Sequence, residues 1–555
     1  MARGCKTTAL LWPLRVSQGT EAMPSANMSL HRLCVLYLVL AAVHRSIARD
    51  AESPAECRED VQKDIFDEDS ELSMLQRRAY EGLMKNTSAG HGDEPPADSD
   101  GHLLSEEPFC RELTNKGAYH TVVVEVGVPA QKFNLVADTG ANSLILPDCS
   151  CMKSGSCSGI NKCFETDHSE SFHFKMMESG GTDEPESAML YFGSGPINCT
   201  MASDEVKLGE AGGTMPDIFL MQERNELKVT SSFEGLLGLG QPRDPEADVA
   251  DTMKKDLFMK VAGISRYSLC FNADSNGIFR MHVPKLKKSM TSIGDLHWAF
   301  DFQGISVGEK TKADDVLFCH PSTKEEGQNS ACNAVPDSGT TMMLGPRDQI
   351  LKMFEQVCSE WERCKTYVKD NELEDKAQAF QKLVSECKDW MDDEEGLDEI
   401  PPIKLHLAGA EGKQQIFDLS PWSWVVKTSY PIYLFIQERL FGKSSAKLNL
   451  NNDKSKDYCS TMFSAHDADT DFNGPQWLFG SPLFFEKVVH FDIGSDPPRM
   501  SISNSPCTAC KDQPSLLSEA ESTPVHTQSA SRVQRQMRHL TDFPRMPHWD
   551  FSQPL

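Results

Sequence analysis

Basic residues are scarce in this chain: 55 Lys and Arg stand against 82 Asp and Glu, giving a formal net charge of −27. That excludes nucleic acid and anionic membrane surfaces as general partners, because both repel a surface dominated by carboxylates. Long hydrophobic runs are missing too. The one extended apolar stretch, "LCVLYLVLAAV" from Leu33 to Val43, is too short to span a bilayer comfortably. No HExxH occurs, so zinc-hydrolase chemistry has no residues to stand on. "DADTDFNG", Asp467 to Gly474, begins like a calcium loop but carries Phe472 where Gly is required and Leu478 where Glu is required. It reads as a solvated acidic loop, and neither metal nor cofactor is expected.

The apolar run follows Met28 and a basic "HR" and precedes Ser46 and Ala48, which are spaced like a cleavage site. This is the layout of a signal peptide over residues 28–48, with residues 1–27 an extension of the gene model and a retained signal anchor as the alternative. Secretion governs how the 18 cysteines are read. Cys149, Cys151, Cys157 and Cys163 crowd together, and further pairs stand at Cys319/Cys332, Cys358/Cys364 and Cys507/Cys510. In a reducing compartment the cluster suits zinc and the last pair a redox CxxC; in an oxidising lumen both suit disulfides. Sequons at Asn86 and Asn198 permit glycans there.

Residues 49–108 are acidic and polar and read as a prosegment and linker, with Leu72, Leu75, Ala79 and Leu83 on one helical face; an ordinary unstructured N-terminus is the alternative. From Tyr119 to Ser505 the texture is β-rich: short β-branched or aromatic runs are separated by Gly, Pro, Asn or Asp. Asn276-Gly277 is the pair expected of a hairpin. Arg347 to Gly396 breaks the pattern, being charged, free of Gly and Pro until its end, and helical in spacing. Residues 506–555 are polar and read as a disordered tail.

One motif occurs twice. "VADTGANSLILP", Val136 to Pro147, and "NAVPDSGTTMMLGP", Asn333 to Pro346, share an Asp, a hydroxyl, a Gly and an apolar run ending in Pro. Alone, the first would read as a turn, since Asp and Gly are common turn formers. The repeat changes this. Asp138 and Asp337 stand 199 residues apart, and each half also ends in an apolar-Gly segment, "FEGLLGLG" and "QWLFGSPLFF". Two neighbouring carboxylates cannot both ionise easily, so they share a proton and offer a base and an acid at once. Small residues such as Gly140 and Gly339 let the backbone approach them.

On these motifs the chain, over Tyr119 to Ser505, resembles the pepsin-like aspartic proteases, the family of cathepsin D and the plasmepsins. "YHTVVVEVGVPAQKFNLVADTG" looks like the family's N-terminal strands, and "WLFGSPLFFEKVVHFDIGSDPPRMSIS" like its closing strands, with Ser481 where an Asp is usual. The resemblance implies a mainly β, bilobal fold with the active-site cleft between two β-lobes. The N-terminal lobe would span 109–290, and the C-terminal lobe 291–505, with an enlarged helical region. It implies Asp138 and Asp337 as the catalytic pair, supported by Thr139, Gly140, Ser338, Gly339 and Thr340. Phe192, Gly193 and Ser194 would form the flap over the substrate. Cys387 and Cys459 resemble the family's disulfide in the C-terminal lobe, and Cys319/Cys332 its small loop before the second Asp.

Three positions depart from the family. Ala141 replaces the hydroxyl residue that follows the first Gly, which makes Asp138 more readily protonated than the family pattern implies. Phe192 stands where the flap Tyr is usual, unless a bulge brings Tyr191 there, and Ile145 replaces the Trp that bonds with that Tyr. The expectation is an aspartic endopeptidase of the secretory pathway, secreted or held in an acidic vesicle and made as a zymogen. Its partners would be polypeptide substrates and its own prosegment, whose Arg77, Arg78 or Lys85 would neutralise the carboxylates. It would be a monomer without a stable membrane span beyond the signal. The alternative is a catalytically impaired fold kept for binding peptides or inhibitors.

Overall fold

The computed structural model describes residues 109–510, except 158–159, 161, 178–183, 193–194, 224–233, 243–256, 286–287, 295–296, 313–314, 392–395, 443–457 and 471, together with 537–540. The expected signal peptide, prosegment helix, Asn86 and basic prosegment residues lie outside them. Among the described residues no helix is long and apolar enough to cross a membrane.

Strand content dominates, and the repeat seen in the sequence is a repeat of topology. His120–Val126 pairs antiparallel with Gln131–Asp138. Its alternation places Val122, Val124 and Val126 in the core while Val123 is exposed, as the two-residue period of a strand requires. Gln131–Asp138 then pairs in parallel with Leu236–Gly238, whose other edge pairs antiparallel with Leu144–Pro147. The second half does the same: Asn333–Pro336 runs parallel to Gly474–Phe479, and Met343–Gly345 pairs antiparallel with that strand. In each half the apolar-Gly segment is therefore the strand flanked by the two arms of the Asp loop.

The stretch expected to be helical forms Arg347–Glu360, Glu362–Asp370 and Lys376–Ser385. A disulfide from Cys358 to Cys364 ties the first two together around the buried Trp361. Phe380 packs against Phe354, Trp361 and Trp424, which fixes the helices on the C-terminal half.

The expected lobe boundary at 290 does not divide the sheets. Val488–Asp492 pairs with Arg266–Cys270, and Arg499–Ser503 follows beside it, so the last strands of the main body complete the fourteen-stranded sheet built by the first half. The Asn276-Gly277 hairpin forms, but not on a two-residue turn. Arg266–Cys270 pairs with Gly277–Met281, so Gly277 opens the second strand while residues 271–276 make the loop. The acidic stretch at 467–474 is not simply solvated either, because Thr470 and Asn473 are buried and Asn333 Nδ2 donates to Thr470 Oγ1 at 3.3 Å.

Seven disulfides are present among the described residues. The cysteine cluster pairs as Cys149–Cys163 and Cys151–Cys157, and the C-terminal half holds Cys319–Cys332 and Cys387–Cys459. Cys507 and Cys510 do not pair with each other: they bond Cys270 and Cys110 of the first half. The region read as a disordered tail is thus anchored at its start by these bonds, and its His539–Leu540 form a short strand beside Val425–Thr428.

Candidate active site

Each Asp loop starts where a core strand ends. Asp138 is the last residue of Gln131–Asp138, and its carbonyl accepts from the Leu239 amide at 2.8 Å. Asp337 follows Asn333–Pro336, and its amide donates to the Phe479 carbonyl at 3.0 Å. Both loops thus hang from the flanked strands described above.

The hydroxyls lock the two loops to each other. The Thr139 amide donates to Ser338 Oγ at 3.0 Å, and the Ser338 amide donates to Thr139 Oγ1 at 2.9 Å. Thr139 Oγ1 donates onward to the Pro336 carbonyl and Ser338 Oγ to the Ala137 carbonyl, both at 2.7 Å. Four buried hydrogen bonds therefore join the halves directly beneath the aspartates, where water cannot compete with them. Sequence reasoning missed a further tie: Thr341 Oγ1 donates to the Ala118 carbonyl at 2.7 Å. Its only signal was a second hydroxyl at the head of an apolar run.

The glycines bring the carboxyls together. A Cβ placed on Gly140 would lie 2.6 Å from the carboxyl carbon of Asp337, and one on Gly339 would lie nearer still to that of Asp138. Each carboxyl thus occupies the space that a side chain on the opposite loop would need. Both aspartates are buried, at 2% and 0% exposure, so their charges are poorly screened from each other. Such a pair holds one shared proton more readily than two charges.

Their environments are unequal. Asp337 accepts from the Gly339 and Thr340 amides at 2.9 and 3.0 Å and from Thr340 Oγ1 at 2.6 Å. Asp138 accepts from the Gly140 amide at 3.0 Å, but Ala141 brings no hydroxyl to match Thr340. Ser481, in place of the usual Asp, donates both its amide and its Oγ to the Thr340 carbonyl, at 2.9 and 3.3 Å. A second support escaped the sequence reading: the Tyr267 hydroxyl and the Trp298 indole both donate to the carbonyl of Leu239, the residue after Leu236–Gly238 whose amide bonds the Asp138 carbonyl.

Ser187–Phe192 and Gly195–Leu208 form the hairpin expected of the flap, with Phe192 opposite Gly195 and Tyr191 opposite Pro196. Gly193 and Ser194 lie outside the described residues, as do the side chains of Tyr191 and Phe192. Ile145 is wholly buried in the first half's core. One motif was overlooked in the sequence: "GISVG", Gly304 to Gly308, has the GxSxG spacing of serine hydrolases, and Ser306 Oγ lies 2.8 Å from His406 Nε2. It sits inside the strand Phe300–Val307 rather than on a strand-to-helix turn, and both side chains are fully buried. Ser306 donates to the Lys310 carbonyl, which makes the pair a core hydrogen-bond network.

Comparison with known proteins agrees with the geometry. Cathepsin E of Mus musculus is 23% identical over 250 residues, covering 42% of this chain and 55% of the relative. Pregnancy-associated glycoprotein 2 of Sus scrofa is 26% identical over 242 residues (42% and 52%), and renin-2 of Mus musculus 25% over 258 residues (44% and 58%). The chain thus spans about half the length of these relatives. Residues 118–503 match the family model for eukaryotic aspartyl proteases, a span that holds both Asp loops, the crossing hydroxyls and the Ser187–Leu208 hairpin. The chain belongs to the eukaryotic aspartyl protease family.

Proposed function

We propose that this protein is an aspartic endopeptidase of the secretory pathway, with Asp138 and Asp337 as a pair sharing one proton. The observation that carries the reading is the mutual approach of each carboxyl to the other loop's glycine. In the reaction, the ionised carboxyl removes a proton from water as the water oxygen attacks the peptide carbonyl carbon. The protonated carboxyl gives its proton to the carbonyl oxygen. Collapse of the tetrahedral intermediate then breaks the C–N bond and passes a proton to the leaving nitrogen. Asp337, which accepts from the Thr340 hydroxyl, favours the charged form, and Asp138, whose loop carries Ala141 at that position, holds the proton more readily. An extended substrate strand would lie under the flap hairpin, held by main-chain hydrogen bonds. The seven disulfides support an oxidising compartment, and a prosegment would keep the enzyme latent until removed.

Ala141 and Ile145 favour a second reading, a fold retained for binding peptides after loss of activity. Against it stand Thr139, Ser338, Gly140 and Gly339, all in place and engaged. Peptide cleavage at acid pH, with and without a pepstatin-type inhibitor, separates the two. The enzyme reading expects inhibitor-sensitive turnover that Asp138→Asn abolishes. Inhibitor binding without turnover would establish the binding protein instead.

A further inference from the structure

Residues 537–540 lie far beyond Cys510, yet they are seated on the body of the molecule. His539 and Leu540 pair in parallel with Lys427 and Thr428, making a third strand beside Val425–Thr428 and Tyr458–Thr461. The Lys427 amide donates to the Arg538 carbonyl at 2.8 Å, and Leu540 is buried. Between them Arg538 points inward. Its guanidinium lies 3.8 Å over the ring of Phe485 and donates to the Ser423 carbonyl, while Glu486 and Asp274 supply opposing charge. Met537 Sδ lies 3.6 Å from Cys459 Sγ.

Burying an arginine is costly unless its surroundings meet it. Here the Phe485 ring, the Ser423 carbonyl and the charges of Glu486 and Asp274 meet the guanidinium, while its Nε has no hydrogen-bond partner. Phe485 is flanked by Phe271 and by His120, which itself stacks on Phe271 with 3.7 Å between ring centroids. The Cys270–Cys507 disulfide fixes the wall beside Asp274, and Ser420 Oγ holds Glu486. The groups that meet Arg538 come from three separate stretches of chain, at Asp274, Ser423 and Phe485–Glu486, so the seat is made by the folded body and not by the tail. A cavity of about 350 Å³ continues from Arg538 past Asn272, Asp274, Trp422, Glu486 and Asn504, leaving room for more peptide than the four seated residues. The docked strand also has a route to the Asp337 loop. Met462, next to Tyr458–Thr461, receives the Met343 amide at 2.8 Å, and Met343 begins the strand that follows that loop.

We propose that this face is a docking site for an extended basic peptide strand anchored by one arginine, occupied in cis by residues 537–540 of the chain's own tail. The tail is then a tethered ligand that completes the small sheet and steadies the strands behind Asp337. The site is independent of the proposed chemistry, because its test reads amide protection and not turnover.

The reporter is the Lys427 amide, which bonds the tail, followed by hydrogen exchange in the full chain. Arg538→Ala is expected to speed exchange at Lys427 at least tenfold, and Arg538→Lys, which keeps the charge but loses the planar stack, several-fold. A synthetic peptide of residues 531–545 should bind the Arg538→Ala chain saturably and restore protection at Lys427, while the same peptide carrying Ala at 538 should not. Unchanged Lys427 exchange in Arg538→Lys, which preserves the fold if the alanine variant does not, overturns the proposal. So does failure of the arginine peptide to bind the Arg538→Ala chain, or equal binding of the two peptides.

Discussion

Ala141 leaves the first Asp loop one hydroxyl short of the second, and that difference is open to measurement. Adding a donor in Ala141→Ser favours ionised Asp138, so the pH profile of kcat/KM is expected to move as a whole towards lower pH, since a coupled pair titrates together. An unmoved profile would contradict the asymmetry read from Thr340 and Ala141. Gly339 offers the complementary test. In Gly339→Ala the new methyl must push the Asp138 carboxyl away, and a displacement of this size costs on the order of 10²-fold in kcat. Wild-type kcat in that variant would mean that the carboxyls need no close approach.

Elements differ in how much of them was legible from the sequence. The two Asp loops could be read because their chemistry is local: an acid, a hydroxyl and a Gly in fixed order do the same task in each half. The helices at 347–385 could be read because no Gly or Pro interrupts their spacing. What escaped was set by distant partners. Cys507 and Cys510 are spaced as though for each other, but tertiary pairing brings them Cys270 and Cys110. Arg538 looked like one more polar tail residue, because its seat on Phe485 and Ser423 exists only once the chain is folded. Asn276-Gly277 suggested a tight turn, yet the disulfide at Cys270 and the stacking of Phe271 on Phe484 draw the loop wider. The helical layer itself rests on one side chain: Phe380→Ala should cost about 3–5 kcal/mol by denaturant unfolding, through the cavity left among Phe354, Trp361 and Trp424.

The whole molecule carries buried histidines that oppose acid. Burial, and then the charge of Arg538, push His120 down to about 3; burial and Arg280 push His490 down to about 4. Below pH 6.5 the unfolded chain binds these protons while the native chain does not, so stability falls with pH until each native value is reached, by at most about 1.4 kcal/mol per pH unit for each histidine. Asp301 acts in the opposite sense: burial raises it to about 6, so its penalty at neutral pH is relieved as pH falls from 6 towards 3.8. His120→Phe, which keeps a ring against Phe271, is expected to flatten the fall of Tm between pH 6.5 and 4. An equally steep fall in the variant would show that His120 does not govern that window.

The sheet that spans both halves also orders events in time. Arg266–Cys270 needs Val488–Asp492 as its neighbour, and Cys110 and Cys270 need partners some 400 and 237 residues further along the chain. During synthesis the first half therefore emerges with a bare strand edge and with Cys110 and Cys270 still lacking their partners, and it must wait for nearly the whole body to follow. Such late, long-range closure is slow and prone to association through the open edge. The edge of Arg266–Cys270 is therefore the surface through which an incomplete chain would most readily associate.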